Sequence, residues 1–595
     1  MAFRAPIAEV AFTMGKIAGL DAAMTAGTFG DLTRETVHAI LEEAGRFASA
    51  DLVAIDAPGD RIGARFADGK VTAAPGFKEA YHRWRAGGWN GISAPEKFGG
   101  QGLPIMLAVA VQEFWNAGCA SFATGPMLTG GAIDTIAAHA SPDLQARYLP
   151  KLVSGEWMAT MNLTEPDAGS DLGAIRTRAE RAGDGSYRLF GEKIFITYGD
   201  HDITPNIVHL VLARLAGAPA GTAGLSLFLV PKFLPAADGS PGAANDLGPS
   251  RIEEKLGLHG SPTCAMVYGG GGNGATGWLV GEENRGLAAM FTMMNLARLT
   301  VGIQGIGVAE RAYQEALSYA RERKQGRGPE KGGGMVPIIE HPDVQAMLAS
   351  MKALVAAARS IAYSCAFAID MSRRGPEAER RHWLDRASLL TPLAKAFSTD
   401  AAIEVANLGI QVHGGTGYME ATGATQRYRD ARIFAIYEGT NGIQAIDLVT
   451  RKLRLADGAA VEELIAELAG IAAEARRSNR PDLGETGARL DAALADLVVA
   501  TQFLSAALAD GRQREALAGA TAYLRLFALC AGGALLTRGA LAADRGDTHF
   551  AELARFFAER IVGETASLRF TVTAGAEALF NMAGALFSTA GHGGL

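Results

Sequence analysis

One block of strand-like text, residues 157 to 282, lies between two long runs of helical periodicity, and this order limits the chain more than any other feature. Inside the block, "KIFITY", "IVHLVLARL" and "LSLFLVPKFL" are rich in β-branched and aromatic residues, as strands require. Before it, "RETVHAILEEAGRFASADL" spaces Val37, Ile40, Leu41 and Phe47 as one helix face does. After it come "ERAYQEALSYARERKQ" and "HPDVQAMLASMKALVAAARSIAYSCAFAIDM", again at helical period. A chain of 595 residues is too long for one core. The fold class that follows is mainly α with a central β-domain. Residues 1–34 read as an N-terminal extension, 35–156 as an N-terminal helical domain, 157–282 as the middle β-domain and 283–455 as a second helical domain. Residues 456–595 read as an accessory helical domain, with Leu490, Leu494, Leu497, Val498, Thr501 and Leu504 on one helix face. Two glycine-rich stretches interrupt the pattern: "GWNGISAPEKFGGQGLP" reads as an irregular loop, and "KQGRGPEKGGGMVP" as a poorly ordered insertion.

The formal charge of −7 offers no positive field to nucleic acid or to an anionic membrane, so small molecules and proteins are the expected partners. Cys119, Cys264, Cys365 and Cys530 have neither disulfide-framework nor zinc spacing, which fits a reducing compartment and no metal. Glu9 and Lys16 break any apolar signal core, and "LFALCAGGALLT" falls short of the roughly 18 residues a membrane span needs. A cytoplasmic protein is the expectation.

Several short stretches are candidates for chemistry. "GNGATG" satisfies G-x-G-x-x-G, but "GWLVGEENRG" follows it as another strand and turn, so it reads as a hairpin loop and not as a dinucleotide fingerprint. In "MNLTEPDAGSDLGAIRTRAE", Thr164, Gly169 and Ser170 lie where a turn presents hydroxyls and N–H groups, or form only a polar loop with an Asx-turn at Asp167. In "GEKIFITYGDHDI", Phe195 and Thr197 alternate onto one face of a strand. Arg323 in "YARERKQG" has a fork suited to phosphate, although a cation at a helix end also suits the dipole. "QVHGGTGYME" combines Gln411 with glycines, as a ligand approach or a tight interhelical turn would. Finally, "RIFAIYEGTNGIQ" sets Glu438 directly after an apolar run, where a carboxylate is either a buried pair, with Arg298 or Arg432 as partner, or a working acid/base.

Taken in order, "GWNGISAPEKFGGQG", "TEPDAGSD", "GEKIFIT", "EKLGLHGSPT", "ARERKQG", "QVHGGTGY" and "RDARIFAIYEGTNGIQ" resemble the acyl-CoA dehydrogenase family over roughly residues 35 to 455. The resemblance implies an N-terminal helical domain, a β-barrel or sandwich, and a C-terminal four-helix domain holding FAD, with a neighbouring subunit completing the site. The tail resembles the subgroup that acts on 3-(methylthio)propanoyl-CoA in dimethylsulfoniopropionate catabolism. By this resemblance Leu163, Thr164, Ser170, Phe195, Thr197, Arg323, Gln325, Gln411, Gly415 and Thr440 contact the cofactor. Ser170, Asn295, Arg298 and Gly439 face the substrate, and Glu438 is the base that takes the α-proton. Phe195 replaces the family's common tryptophan, His259 stands where arginine is frequent, and Gly442 where glutamine is.

The implied reaction is α,β-dehydrogenation of a short acyl-CoA, with electron-transfer flavoprotein as acceptor and a homodimer as assembly. A straight short- or medium-chain acyl-CoA is the alternative substrate. Met290, Met293 and Met294 suit a thioether, although a methionine stripe on a helix is usually core. An oxidase would be revealed by peroxide production during turnover. A nucleic-acid-binding flavoprotein of the alkylation-response type shares the fold but expects a basic face, whereas residues 456–595 hold 12 arginines, no lysine and 17 acidic residues, a net −5.

Overall fold

The computed structural model describes residues 3–328, 334–544 and 546–587. The chain forms two compact units, the first comprising Met1–Ile7, Asp31–Ser318 and Gly409–Phe434. At its centre runs the helix Ile105–His139, buried along nearly its whole length and kinked at Cys119, whose φ of −158° and ψ of 98° leave the helical region. The short hairpin Arg65–Ala67 with Lys70–Thr72 interrupts the expected helices of this region.

The β-domain of this unit is an eight-stranded sheet that closes on itself. Arg178–Arg181 pairs with both Tyr187–Thr197 and Ile207–Leu215, which joins the strands Tyr187–Thr197, Ala275–Val280, Leu225–Pro231 and Ile207–Leu215 into a ring. Met158–Asn162 adds to one side, and Thr263–Tyr268 with Leu247–Ile252 to the other. Leu189, Ile196, Val211, Phe228, Cys264 and Met266 fill the core. Ile207–Leu215 and Leu225–Pro231 read as near-continuous apolar runs, interrupted by His209, Arg214 and Ser226, because nearly every side chain in them is buried. The glycine stretch after Tyr268 is not a hairpin, since Thr263–Tyr268 and Ala275–Val280 both pair with Tyr187–Thr197. It is a crossing loop, and the Asp246 carboxylate accepts the N–H groups of Gly271, Asn273 and Gly274 at 2.7–3.0 Å.

A buried charge cluster ties three elements of the unit together. Arg427, on the helix Ala424–Phe434, pairs with Asp56 of Val53–Ile62 at 2.7 Å and with Glu315 of Gly286–Glu322 at 3.3 Å. Arg311 also pairs with Glu315, at 2.5 Å. Burial works against ionisation of Glu315, but the Arg427 and Arg311 guanidinium groups outweigh it and hold its carboxyl below the ordinary value. Asp430 accepts the Leu258 N–H at 2.6 Å. Burial, reinforced by Asp56 and Asp60, pushes its pKa up to about 7.

Burial has the opposite effect on His201 and His209, whose pKa falls from 6.5 to about 3, with Lys232 adding repulsion. In the window from about 3 to 6.5 the unfolded chain binds protons that these folded imidazoles refuse, so their contribution to stability is lost as pH falls. Asp430 runs the other way: between 3.8 and about 7 the folded carboxyl keeps a proton that the unfolded one releases, so its contribution falls as pH rises. In urea titrations across this range, His209→Gln should therefore flatten the acid loss of stability and Asp430→Asn should steepen it.

The second unit comprises Ala8–Gly30, Tyr319–Leu408 and Ala435–Leu595. Its N-terminal segment is no loose extension. Val10, Met14, Ile17 and Leu20 are buried. Glu9 forms ion pairs with Lys352 and with the fully buried Arg359. Burial opposes its ionisation, yet these two cations hold its carboxyl well below the usual range. The tail helices Ala520–Ala542 and His549–Arg560 pack on Pro342–Arg374, with Gly532 giving the close approach to Ala357 that a larger residue would block. Among the described residues four helices are by length and composition apolar enough to cross a membrane, more than the short run "LFALCAGGALLT" suggested. In Ala520–Ala542, which contains that run, 83% of the apolar window is buried within the protein, so its composition is that of a core helix. The expected glycine-rich insertion is part structured: Lys324–Arg327 pairs with Met335–Pro337, while residues 329–333 lie outside the described residues.

Candidate active site

The first unit carries the loop 163–170 against the strand Tyr187–Thr197. Thr164 offers its C=O to the Ile194 N–H at 2.9 Å. The fully buried Lys193 donates to the Leu163 C=O at 2.9 Å and to Glu165 at 2.8 Å. Burial lowers the Lys193 pKa to about 8 against the pull of Glu165. Glu165 also accepts the N–H groups of Arg176 and Thr177 and the Thr177 hydroxyl at 2.5–3.0 Å, so the loop is anchored at its base. Neither Glu165 nor Lys193 stood out as a site residue in the sequence. The available signal was a cation within an apolar strand and an anion in the preceding motif.

Above this anchor Leu163 is buried, Thr164 half-buried and Ser170 exposed. The Asx-turn forms at Asp171, which accepts the Gly173 N–H at 2.8 Å, and not at Asp167, which pairs with Arg176 at 3.1 Å. Phe195 sits at a bulge between Cys264 and Met266 of the partner strand with a φ of +59°, and its ring is 59% exposed. Ile196 beneath it is buried, so Phe195 and the half-buried Thr197 share the outward face, as alternation requires. An outward aromatic at a strained backbone position is costly without an occupant. With the neighbouring Thr164 and Thr197 hydroxyls, this surface fits a flat heteroaromatic ring.

Elsewhere in the unit, Gln411 lies in the last turn of the helix Arg380–His413 and Gly415 in the turn Gly414–Tyr418; both are exposed, and Tyr418 is 82% exposed. Arg298 is buried one helical turn from the exposed Asn295, whose amide oxygen it approaches at 3.5 Å, with Phe291 5.9 Å from the guanidinium carbon. Met290 and Met293 are fully buried, so they are core residues and no thioether lining can be read from them. His259 lies 2.9 Å from Asp60 and within 2.8 Å of the Lys255 C=O.

In the second unit Arg323 and Gln325 are exposed at the start of the short hairpin, where Arg323 accepts the Ile338 N–H at 2.8 Å. Glu438, Gly439 and Thr440 form a tight loop. Its ends are closed by the Asn441 N–H donating to the Ala435 C=O at 3.0 Å. Glu438 has a φ of +55° and Gly439 one of +83°, so the carboxylate residue itself occupies the left-handed region that side chains avoid. Thr440 caps the helix Asn441–Thr450 by accepting the Ile443 N–H at 3.1 Å. The flanking run is less buried than its composition suggests: Phe434 is buried, but Ile436 is 46% exposed and Glu438 half-buried. The loop is thus partly open to solvent.

Four domain models match the chain: acyl-CoA dehydrogenase N-terminal domain at 34–156, middle domain at 160–269, C-terminal domain at 284–453, and an acetyl-CoA dehydrogenase C-terminal-like domain at 461–583. A 3-methylmercaptopropionyl-CoA dehydrogenase of Ruegeria pomeroyi is 42% identical over 96% of this chain and 98% of its own. A butyryl-CoA dehydrogenase of Syntrophomonas wolfei is 35% identical over 86% of this chain and 85% of its own. Among solved structures, Caenorhabditis elegans ACDH-11 in complex with C11-CoA superposes with a TM-score of 0.80 at 20% identity, covering 99% of this chain and 96% of that one. At that identity the likeness concerns the fold.

Proposed function

Because the chain belongs to the acyl-CoA dehydrogenase family, we propose that Glu438 is its α-proton base and that 3-(methylthio)propanoyl-CoA is its substrate. As a member of that family it is an FAD-dependent oxidoreductase acting on acyl-CoA CH–CH bonds. The single observation carrying the substrate is the 42% identity that runs through 96% of the chain, the tail included.

Leu163, Thr164, Ser170, Phe195 and Thr197 would hold the flavin on the first unit, Gln411 and Gly415 the adenosine side, and Arg323 and Gln325 would reach a cofactor across a subunit boundary. FAD when bound supplies the acceptor for the β-hydrogen as hydride. Glu438 accepts the α-proton: the Cα–H bond breaks, a carboxylic O–H forms, and the electron pair left on Cα becomes the Cα–Cβ double bond as hydride leaves Cβ. The α-proton of a thioester is a weak acid, so the charge growing on the carbonyl oxygen needs preorganised donors, and we assign the backbone N–H of Glu438 as one of them. The left-handed φ of Glu438 and the absence of a side chain at Gly439 let N–H and carboxylate serve the same small region.

The test is a comparison of kcat/KM for butanoyl-, octanoyl- and 3-(methylthio)propanoyl-CoA with an artificial electron acceptor. The thioether substrate should be preferred by about tenfold or more, the range one pocket contact supplies. Equal values for all three remove the substrate reading. Electron-transfer flavoprotein is the proposed physiological acceptor. A homodimer is the proposed assembly, since tail helices occupy one face of Pro342–Arg374; a measured tetramer mass would contradict it.

A further inference from the structure

The loop that carries Glu438 is fastened at one end to the helix Arg380–His413 by the side chain of Asn441. Its Oδ1 accepts from the Lys395 ammonium at 2.9 Å and from the Thr399 hydroxyl at 3.2 Å. Its Nδ2 donates to Asp400 at 2.7 Å, to Thr399 at 3.0 Å and to the Ala396 C=O at 3.3 Å. Both ends of the amide are used, and a fully buried cation faces its oxygen, so the amide has one orientation and cannot flip. The same residue's N–H closes the loop on Ala435. Between these two attachments the chain holds Glu438 at a φ of +55°, a conformation that a non-glycine residue keeps only when its surroundings enforce it.

We infer that Lys395 and Asn441 are positioning residues for the base: the Lys395–Asn441 contact holds the 435–441 loop in the strained form that aims the Glu438 carboxylate. The buried ammonium tightens the hold on the amide oxygen, because a charged donor roughly doubles the strength of the bond. Without it the loop can relax toward negative φ and carry the carboxylate away from its target. A misplacement of about 1 Å costs on the order of 100-fold in rate. Thr440 capping the following helix fixes the loop's length, so the clamp controls its direction. The inference rests on the proposed role of Glu438.

The test uses the FAD-loaded full chain with Lys395→Met, Asn441→Ala, the double variant, and Glu438→Gln as reference. Besides turnover, the readout is deuterium uptake at the α-carbon of 3,3-dimethylbutanoyl-CoA, a thioester with α-protons and no β-hydrogen, which reports proton abstraction apart from oxidation. Each single variant should lower both kcat and the exchange rate by about 10- to 100-fold with KM and flavin absorbance unchanged, and the double variant should be no slower than the worse single. Asn441→Ala keeps the test open should Lys395→Met fail to fold. Exchange at the wild-type rate in Asn441→Ala, or losses that multiply in the double variant, would overturn the clamp. Undiminished exchange in Glu438→Gln would instead overturn the base assignment beneath it.

Discussion

Glu438→Gln should keep its FAD and its yellow colour yet lose about three orders of magnitude in turnover. General-base catalysis by a positioned carboxylate is worth roughly 10² to 10⁴, and the amide of glutamine cannot accept the α-proton. The two side chains are nearly the same size, so packing and the left-handed backbone are conserved, and the loss belongs to the proton. Anaerobic mixing with substrate gives the cleanest measurement: the visible absorbance of the oxidised flavin should stay unbleached where the parent bleaches within one turnover. Bleaching at the parent's rate would refute the assignment.

Arg427→Met should have the largest effect on stability. Its guanidinium is shared by Asp56 and Glu315 inside the first unit, and methionine fills similar volume without charge. What is lost is the compensation: the buried Asp56 loses the cation it pairs with, while Glu315 keeps only Arg311. Removing one partner of a buried ion pair costs roughly 3–5 kcal/mol. Differential scanning calorimetry should show a transition shifted downward by several degrees, and co-replacement of Asp56 by Asn should recover part of the loss. An unchanged transition would mean that water reaches the cluster and screens it.

How much of this was legible in the sequence follows from physics acting at different ranges. Strand text such as "IVHLVLARL" and the buried face from Leu490 to Leu504 are local signals of period and apolarity, and the structure builds them as expected. Motif order gave the family. What stayed hidden depends on residues far apart in the chain. Lys193 and Glu165 are 28 residues apart, Lys395 and Asn441 46, and no periodicity links them. The φ of +59° at Phe195 arises from a bulge that exists only once Thr263–Tyr268 is paired beside it. Composition also overstated burial around Glu438, which is half-buried beside an Ile436 that is 46% exposed.

The N-terminal segment carries one more consequence. Arg538 donates to the Ile17 C=O across 521 positions of chain, and Gly539 makes room for the Ile17 side chain. On the ribosome, at about 5–20 residues per second, Ile17 therefore waits roughly half a minute or more for this second part of its partner surface, long after Pro342–Arg374 has been made. Until then the side of the segment that meets Ala520–Ala542 stays uncovered, and a bulky tag fused ahead of Glu9 would hinder that late docking.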